Sequence, residues 1–456
     1  MTLTEARHIH FIGIGGIGIS ALAKWAVEQG MQVSGSDLKA GPTTVWLAAH
    51  SCNISIGPHV ATNIPVDCDL VIHTVAVQVG NAELDAAAQR GVPVLSYPQA
   101  LNQLLATGQG IAVAGTHGKS TTTALLAYIL VAAQRDPTVI IGTRVRLFDD
   151  TNERIGKGPD VLIEADEYNK GILLYHPKHA VVLNVDHEHV DIYPTLADLQ
   201  KAFQTFVANV PTDGTLTLNA DDPATPLLRK AARAKVLTFG LHAADCAASN
   251  NVVGTQGLEF TVAGLYDGKI TTKLFGDHNV LNILAALSVA HSLDIPFATC
   301  QKAIAEFPGT WRRFEYRGQW RGATIIDDYA HHPTEIRATL QAARQAFPKA
   351  KMHCVFQPHL HSRTAAFASA FAKALQAADA CTVVEVYDVA GRDESTKTSS
   401  AGIAAAIGPD AYFAKDIAAA VTHVAGRVQP GDVVLTLGAG DVTNFASIAQ
   451  KENPSI

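Results

Sequence analysis

The sequence predicts an α/β protein assembled from three consecutive blocks, two of them organised around parallel sheets and the middle one carrying an antiparallel part as well. Three observations lead there. Short β-branched runs alternate with Ala/Leu-rich stretches along almost all 456 residues, the pattern of βα units around parallel sheets. Glycine-bearing loops stand where a strand passes into a helix. The composition, 48% hydrophobic and 17% charged, belongs to a chain that buries large cores rather than to a disordered one.

The elements follow in order. In block 1–106, the strand-like runs HIHFIG, MQVSG, NISIG, DLVIHT and VPVLS are separated by helical segments such as 17–30 and 81–90. The polar stretch ATGQG (106–110) closes the block, and IAVAGTHGKSTTT starts the next. Block 107–306 has strands at 111–115, 161–165 and 180–184, and its section 236–275, richer in Thr, Gly and Val, reads as antiparallel β. Block 307–456 opens after FPGTWRRF and alternates again: TIIDDYA, helix 333–346, MHCVFQ, helix 364–378, CTVVEVY, helix 416–428 and VVLTLGAG.

Composition also excludes. A net charge of −7 without a basic block argues against holding nucleic acid by phosphate neutralisation. The six cysteines (52, 68, 246, 300, 354, 381) include no CxxC, so no disulfide framework or zinc-ligand spacing is present, and they read as buried small hydrophobes of a reducing cytosol. The N-terminus is apolar but carries acid, histidine and interrupting glycines, and no run of 18 apolar residues follows. The expectation is a cytoplasmic protein, neither secreted nor inserted in a membrane.

Two loops carry phosphate chemistry. Gly13-Ile14-Gly15-Gly16-Ile17-Gly18 follows the first strand and opens a helix, and Asp37 ends the next strand. Glycines let the backbone approach a diphosphate, the helix N-terminus offers N–H groups, and the later acid suits a ribose or base. Alone, this loop reads as a nicotinamide dinucleotide site or as a tight turn with no ligand. The second loop, Gly115-Thr116-His117-Gly118-Lys119-Ser120-Thr121, ends in Gly-Lys-Ser at a helix start. Backbone N–H groups there wrap a triphosphate, Lys119 neutralises its outer oxygens, and the Ser120 hydroxyl coordinates Mg²⁺. Val113 occupies the position of the usual first glycine, so the loop is a variant.

Mg²⁺ with a triphosphate needs carboxylates, and the strand ending Glu164-Ala165-Asp166-Glu167 supplies them. Alternation puts Glu164 and Asp166 on one face and Glu167 on the other unless the strand ends first; Glu164 is the expected ligand. Asn184-Val185-Asp186-His187-Glu188-His189-Val190-Asp191 gathers oxygen and imidazole donors that suit a second divalent ion. Gly276-Asp277-His278-Asn279 precedes an Ala-rich helix, where an amide can read an adenine edge, and Arg312 and Arg313 stand at the junction of blocks two and three. Asp327-Asp328-Tyr329-Ala330-His331-His332 and Gln357-Pro358-His359-Leu360-His361-Ser362-Arg363 each follow a strand, where open α/β sheets bind ligands.

Taken in order, GIGGIGISALA, GTHGKSTTT, EADE, NVDHEHVD, HNVLN, RRF with DDYAHHPTEI, and FQPHLHSRT resemble the Mur ligase family, the ATP-dependent amide-forming enzymes of peptidoglycan precursor synthesis. The last two motifs most resemble members that couple L-alanine to UDP-N-acetylmuramate, a relative that reattaches a recycled tripeptide being the alternative. The resemblance implies an N-terminal Rossmann-like domain holding UDP rather than NAD, a central ATP domain with a P-loop, and a C-terminal Rossmann-like domain bringing the amino acid. It implies that Gly13, Gly15, Gly16, Ile17, Gly18 and Asp37 serve the sugar nucleotide and that Ser120, Glu164 and His189 hold Mg²⁺. It further implies that Asn279 reads adenine, Arg313 contacts phosphate and Asp327 lies near the nucleotide. Tyr329, His331, His359 and Arg363 would line the alanine site, with His331 and His359 both candidates for the base. Lys119 joins them as the catalytic cation.

Departures from the family pattern are Tyr168-Asn169 after EADE, Glu188 before the metal-site histidine with His187 as a competitor, Leu360 where relatives carry Arg, and Ser96-Tyr97 where basic residues are common. A nicotinamide-dependent oxidoreductase, the reading from another class, leaves the second loop and the C-terminal histidines unexplained. Oligomeric state is open, monomer or dimer.

Overall fold

Every predicted strand of the first block forms, in a five-stranded sheet. The computed structural model describes residues 1–78, 80–254, 257–388 and 397–452. The strands are β1 His8–Ile12, β2 Gln32–Asp37, β3 Asn53–Ile56, β4 Leu70–His73 and β5 Val94–Ser96, ordered β3-β2-β1-β4-β5. All four pairings are parallel, and central β1 is buried along its whole length. Buried parallel strands read as continuous apolar runs, which is what HIHFI nearly is.

The second sheet comprises β6 Gln109–Ala114, β7 Thr138–Val145, β8 Thr151–Arg154, β9 Asp160–Glu164, β10 His179–Val182, β11 Thr215–Asn219, β12 Lys235–Gly240, β13 Cys246–Gly254, β14 Gly257–Gly264 and β15 Gly268–Thr272. Its order is β15-β14-β13-β12-β11-β10-β6-β9-β7-β8. β6 thus lies between β10 and β9, parallel to both, and the loop after it opens at the centre of the sheet. The stretch 236–275, expected to be antiparallel, begins with a parallel pairing, Phe239 with Cys246 and Gly240 with Ala247. Only two rungs overlap, so the short 241–245 turn can bring the chain back alongside itself.

The third sheet holds β16 Glu315–Trp320, β17 Ala323–Asp328, β18 Met352–Phe356, β19 Ala380–Val384, β20 Ala411–Ala414 and β21 Val433–Leu437, ordered β16-β17-β21-β18-β19-β20. Only the edge strand β16 is antiparallel to its neighbour. The helix Pro333–Ala346 occupies the predicted range; His332 caps it, Pro333 opens it, and Glu335 reaches back to the His331 and His332 N–H groups.

The chain divides into two compact units: residues 1–249 with 262–268 and 281–304, and residues 250–261 with 269–280 and 305–456. In the first unit one apolar core runs without a break from Phe11, Leu22 and Trp25 to Phe203 and Phe206, so the first sheet and the sheet behind the Gly-Lys-Ser loop pack as one body. In the second, the third sheet is covered on both faces, by clusters around Phe356 and Phe371 and around Trp320 and Phe445. All six cysteines are buried and unpaired. Among the described residues no helix is long and apolar enough to cross a membrane.

Candidate active site

The first glycine loop is fixed from below. The Gly13 and Ile14 N–H groups donate to Ser36 O at 2.8 and 3.0 Å, and Gly13 takes a φ of +77° that favours glycine. The helix Ile17–Glu28 then begins at Gly16 with no side-chain cap and no acid in its first turn, which leaves its N-terminal amides available to an anion. Asp37, expected at a ribose or base, braces the loop itself: its Oδ2 accepts the Gly15 N–H at 2.9 Å. A methyl group on Gly18 would press on the Tyr97 ring and hydroxyl at 2.9 Å, so that glycine serves close approach.

The second loop joins β6 to the helix Lys119–Ala132 and is braced by the segment after β10. The Thr116 N–H donates to Asn184 O, the His117 N–H to Asn184 Oδ1, and the Asn184 amide to His117 O, at 3.1, 2.8 and 3.0 Å. Thr116 Oγ1 meets Asp186 O, and His117 Nε2 lies 3.1 Å from Asp186 Oδ2. Lys119 Nζ donates to Gly115 O at 2.7 Å, to Thr116 O at 3.2 Å and to both oxygens of Glu167. Thr121 is buried behind the loop.

The acids converge on this point. Ser120 Oγ donates to Glu164 Oε1 at 3.0 Å, and the Gly142 N–H donates to Glu164 Oε2 at 2.8 Å. Burial pushes the Glu164 carboxyl up, against the charge of Lys119 and these two hydrogen bonds. His189 Nε2 lies 3.5 Å from Glu167 Oε1, and Asp166, Glu167 and His189 form one group of possible metal donors. Of the neighbouring donors, His187 Nε2 lies 3.1 Å from Tyr193 O, and Glu188 is buried with its Oε1 accepting the His189 N–H at 3.2 Å.

Glu167 is the residue that sequence reasoning left undecided. β9 ends at Glu164, so strand alternation no longer governs the three residues beyond it, and the bend turns Glu167 inward, fully buried. Burial opposes its ionisation, but the charge of Lys119 and the His189 and Lys119 hydrogen bonds outweigh that and hold it at about 2. Its buried position was signalled in sequence only by the end of the β-branched run before it.

Within the second unit another group assembles at the ends of β17 and β18. Asn279 is buried, its amide donating to Phe275 O at 2.8 Å. Arg313 lies 3.6 Å from Glu335 and 5.2 Å over the Tyr329 ring. Burial, with Arg313 next, lowers the neighbouring His278 to about 4. His331 Nδ1 sits 3.0 Å from Tyr329 O and 3.3 Å from Glu335 Oε2, and the His331 and His359 ring centres are 6.4 Å apart. Arg363 is buried in the first turn of the helix His361–Leu375, just after Leu360, whose φ is +67°.

Asp327, expected near the nucleotide, is held by Arg312 and two hydroxyls. It is fully enclosed, accepting from Arg312 Nε at 2.8 Å, Thr443 Oγ1 at 2.9 Å and Thr436 Oγ1 at 2.6 Å. Arg312, the largest fully buried side chain among the described residues, also donates to Gly438 O and Gly440 O, so this pair ties β17 to the loop after β21. These hydrogen bonds to backbone carbonyls and hydroxyls offset the cost of burying the pair.

A glycine loop between strand and helix, its lysine and serine, and carboxylates on the adjoining strand have the arrangement of nucleotide-binding α/β proteins of the P-loop kind. Sequence comparison specifies the kind further. The chain matches the Mur ligase family catalytic domain over residues 8–109, the Mur ligase middle domain over 113–290 and the Mur ligase glutamate ligase domain over 312–440, and it belongs to the Mur ligase family. It is 37% identical over 453 residues to a UDP-N-acetylmuramate–L-alanine ligase of Anaeromyxobacter dehalogenans, 97% of each chain being covered. It is 36% identical to the enzyme of that name from Caldanaerobacter subterraneus subsp. tengcongensis, with 99% of each covered. The crystal structure of UDP-N-acetylmuramate-alanine ligase from Thermotoga maritima superposes with a TM-score of 0.81 at 31% identity, covering 98% of this chain and 100% of that one.

Proposed function

We propose that this chain joins L-alanine to the lactyl carboxylate of UDP-N-acetylmuramate at the expense of ATP, in the cytoplasm, as a step of peptidoglycan precursor synthesis. The observation that carries the reading is the convergence of Lys119, Ser120, Glu164, Glu167 and His189 around one loop, in the same packed body as the first glycine loop. Full-length similarity to ligases of that name supports it.

The chemistry asks for cations. A carboxylate that attacks the γ-phosphate meets anion–anion repulsion, so positive charge fixed at that phosphate is the main device. Lys119 supplies it from the loop, and Glu167 keeps the ammonium charged and aimed while the site is empty of nucleotide. Hard oxygen and imidazole donors suit Mg²⁺: Ser120 and Glu164 would hold one ion, and His189 beside Glu167 a second. An ion held there would supply the positive charge that offsets repulsion between the phosphate oxygens and the incoming carboxylate. The carboxylate oxygen bonds to the γ-phosphorus, ADP leaves, and the alanine amine displaces phosphate from the resulting acyl phosphate. Either His331, beside Tyr329, or His359, beside Tyr387, would take the amine proton, and Arg363 would hold the alanine carboxylate. We assign the sugar nucleotide to residues 1–106, ATP to 107–306, with Asn279 at the adenine and Arg313 at a phosphate, and the amino acid to 307–456.

The test is phosphate release from the purified full-length chain. Release should require UDP-N-acetylmuramate, Mg²⁺ and L-alanine together; release equally fast without the amino acid overturns the amide-forming reaction. A panel of amino acids and L-alanyl peptides separates alanine addition from tripeptide recycling. Glycine should compete weakly, since one methyl group discriminates by about 1–3 kcal/mol.

A further inference from the structure

The hairpin of β7 and β8 pairs at Val139 with Arg154, at Ile140 with Glu153 and at Val145 with Thr151, so its ladder breaks over residues 141–144. The backbone groups freed by the break are used across the fold. The Gly142 N–H donates to Glu164 Oε2 at 2.8 Å, and the Ile141 carbonyl accepts from the Asn152 side-chain amide at 3.3 Å. The same Asn152 nitrogen donates to Ile17 O at 2.8 Å, in the first turn of the helix that the first glycine loop opens. Asn152 is only 7% exposed. Both of its amide hydrogens are therefore committed to carbonyls on opposite sides.

The result is one continuous line. It runs from Ile17 through the Asn152 amide to Ile141, along the backbone to Gly142, and through Glu164 to the Ser120 hydroxyl. One end belongs to the first glycine loop, the other to the Gly-Lys-Ser loop. A separate tether, Lys24 to Glu153 at 2.6 Å with Lys24 over Trp46, holds the same helix further along but does not touch Glu164.

We propose that Asn152 is a positioning residue that makes occupation of the two loops interdependent, the ligand at either loop setting the backbone that the other needs. A buried amide whose two hydrogens each have a single acceptor cannot follow a shift of one carbonyl without losing the other bond. This rests on reading the loops as the sugar-nucleotide and ATP sites.

Calorimetric titration of the full chain tests it. UDP-N-acetylmuramate is titrated with and without a saturating non-hydrolysable ATP analogue and Mg²⁺, and the reciprocal titration follows. Wild type should bind each ligand at least about fivefold tighter when the other is present, by the same factor in both directions. Asn152→Ala should bind each ligand alone within about threefold of wild type and lose the linkage, while Lys24→Met keeps it. Asn152→Ser, which retains one donor and cannot bridge two carbonyls, repeats the test if the alanine variant does not fold. Linkage that persists in either Asn152 variant, is absent from wild type, or disappears equally in Lys24→Met overturns the inference. A wild type that binds neither ligand overturns the functional reading instead.

Discussion

Lys119 Nζ donates to both carboxylate oxygens of Glu167, at 2.9 and 3.2 Å, and His189 approaches the same carboxylate at 3.5 Å. The loop cation is thus oriented by an acid that sits beyond the end of its strand. Replacing Lys119 with alanine should lower turnover by about 10³-fold or more while leaving sugar-nucleotide binding intact. Binding lost together with turnover would contradict the division of labour between the two loops. Glu167→Gln leaves a buried ammonium with a weaker partner and should cost about 3–5 kcal/mol of stability in urea denaturation.

Gly118 takes a φ of +84°, and a Cβ there would meet Asn282 Oδ1 at 2.4 Å. Gly118→Ala therefore combines backbone strain with a clash at the cap of the helix Lys119–Ala132. ADP affinity should fall at least about tenfold, with a stability loss of about 1–3 kcal/mol. Sugar-nucleotide affinity measured alone should change little, and calorimetry of both ligands reads the contrast.

Glu83 is fully buried beneath the first sheet and accepts from His10 Nε2 at 3.0 Å, Ser36 Oγ at 2.8 Å and Asn63 Nδ2 at 2.7 Å. Burial opposes its charge, but the His10, Asn63 and Ser36 hydrogen bonds prevail and hold it at about 2. A carboxyl lowered from 4.5 contributes stability that is present above pH 4.5 and lost as pH falls through about 2. The contribution is roughly 3 kcal/mol at most. Glu83→Gln should be less stable at pH 7 and should lack this acid-side decline in urea titrations run at pH 2.5, 4 and 7.

Asp328 behaves in the opposite sense. Burial pushes it up to about 6, against Arg313 and the Ala330 and Phe314 N–H groups. The folded chain then binds the proton more tightly than the unfolded one, so this stabilisation is complete below pH 3.8 and is lost as pH rises through about 6. Asp328→Asn should flatten the stability profile between pH 4 and 6.5 by roughly 2–3 kcal/mol. An unchanged slope would show that Asp328 does not titrate in this window.

The alternation of strands and helices was legible because buried parallel strands are short apolar runs and the helices between them carry their own start signals. HIHFI, DVLIE and MHCVF are all strands, and Pro333–Ala346 begins at the Pro-Thr-Glu that a cap requires. The parallel return from β12 to β13 was not legible, because composition marks a strand without fixing its partner. The two loops were legible as glycine patterns, since close backbone approach and positive φ leave little choice of residue.

Where the charged residues went was decided in three dimensions. Arg312 and Arg313 are adjacent in sequence, yet one is sealed against Asp327 and the other stays half-buried beside Tyr329 and Glu335. Asp37 turned to its own loop and Glu167 to Lys119. By itself the sequence determined the class of fold, the two glycine loops and the family, because these rest on local spacing and backbone freedom. Only the tertiary structure decided which acid holds the loop lysine, which arginine is sealed against Asp327, and that Asn152 joins Ile17 to the β7–β8 hairpin. Each of those depends on the desolvation of a polar group by residues far away in the chain, which no local pattern encodes.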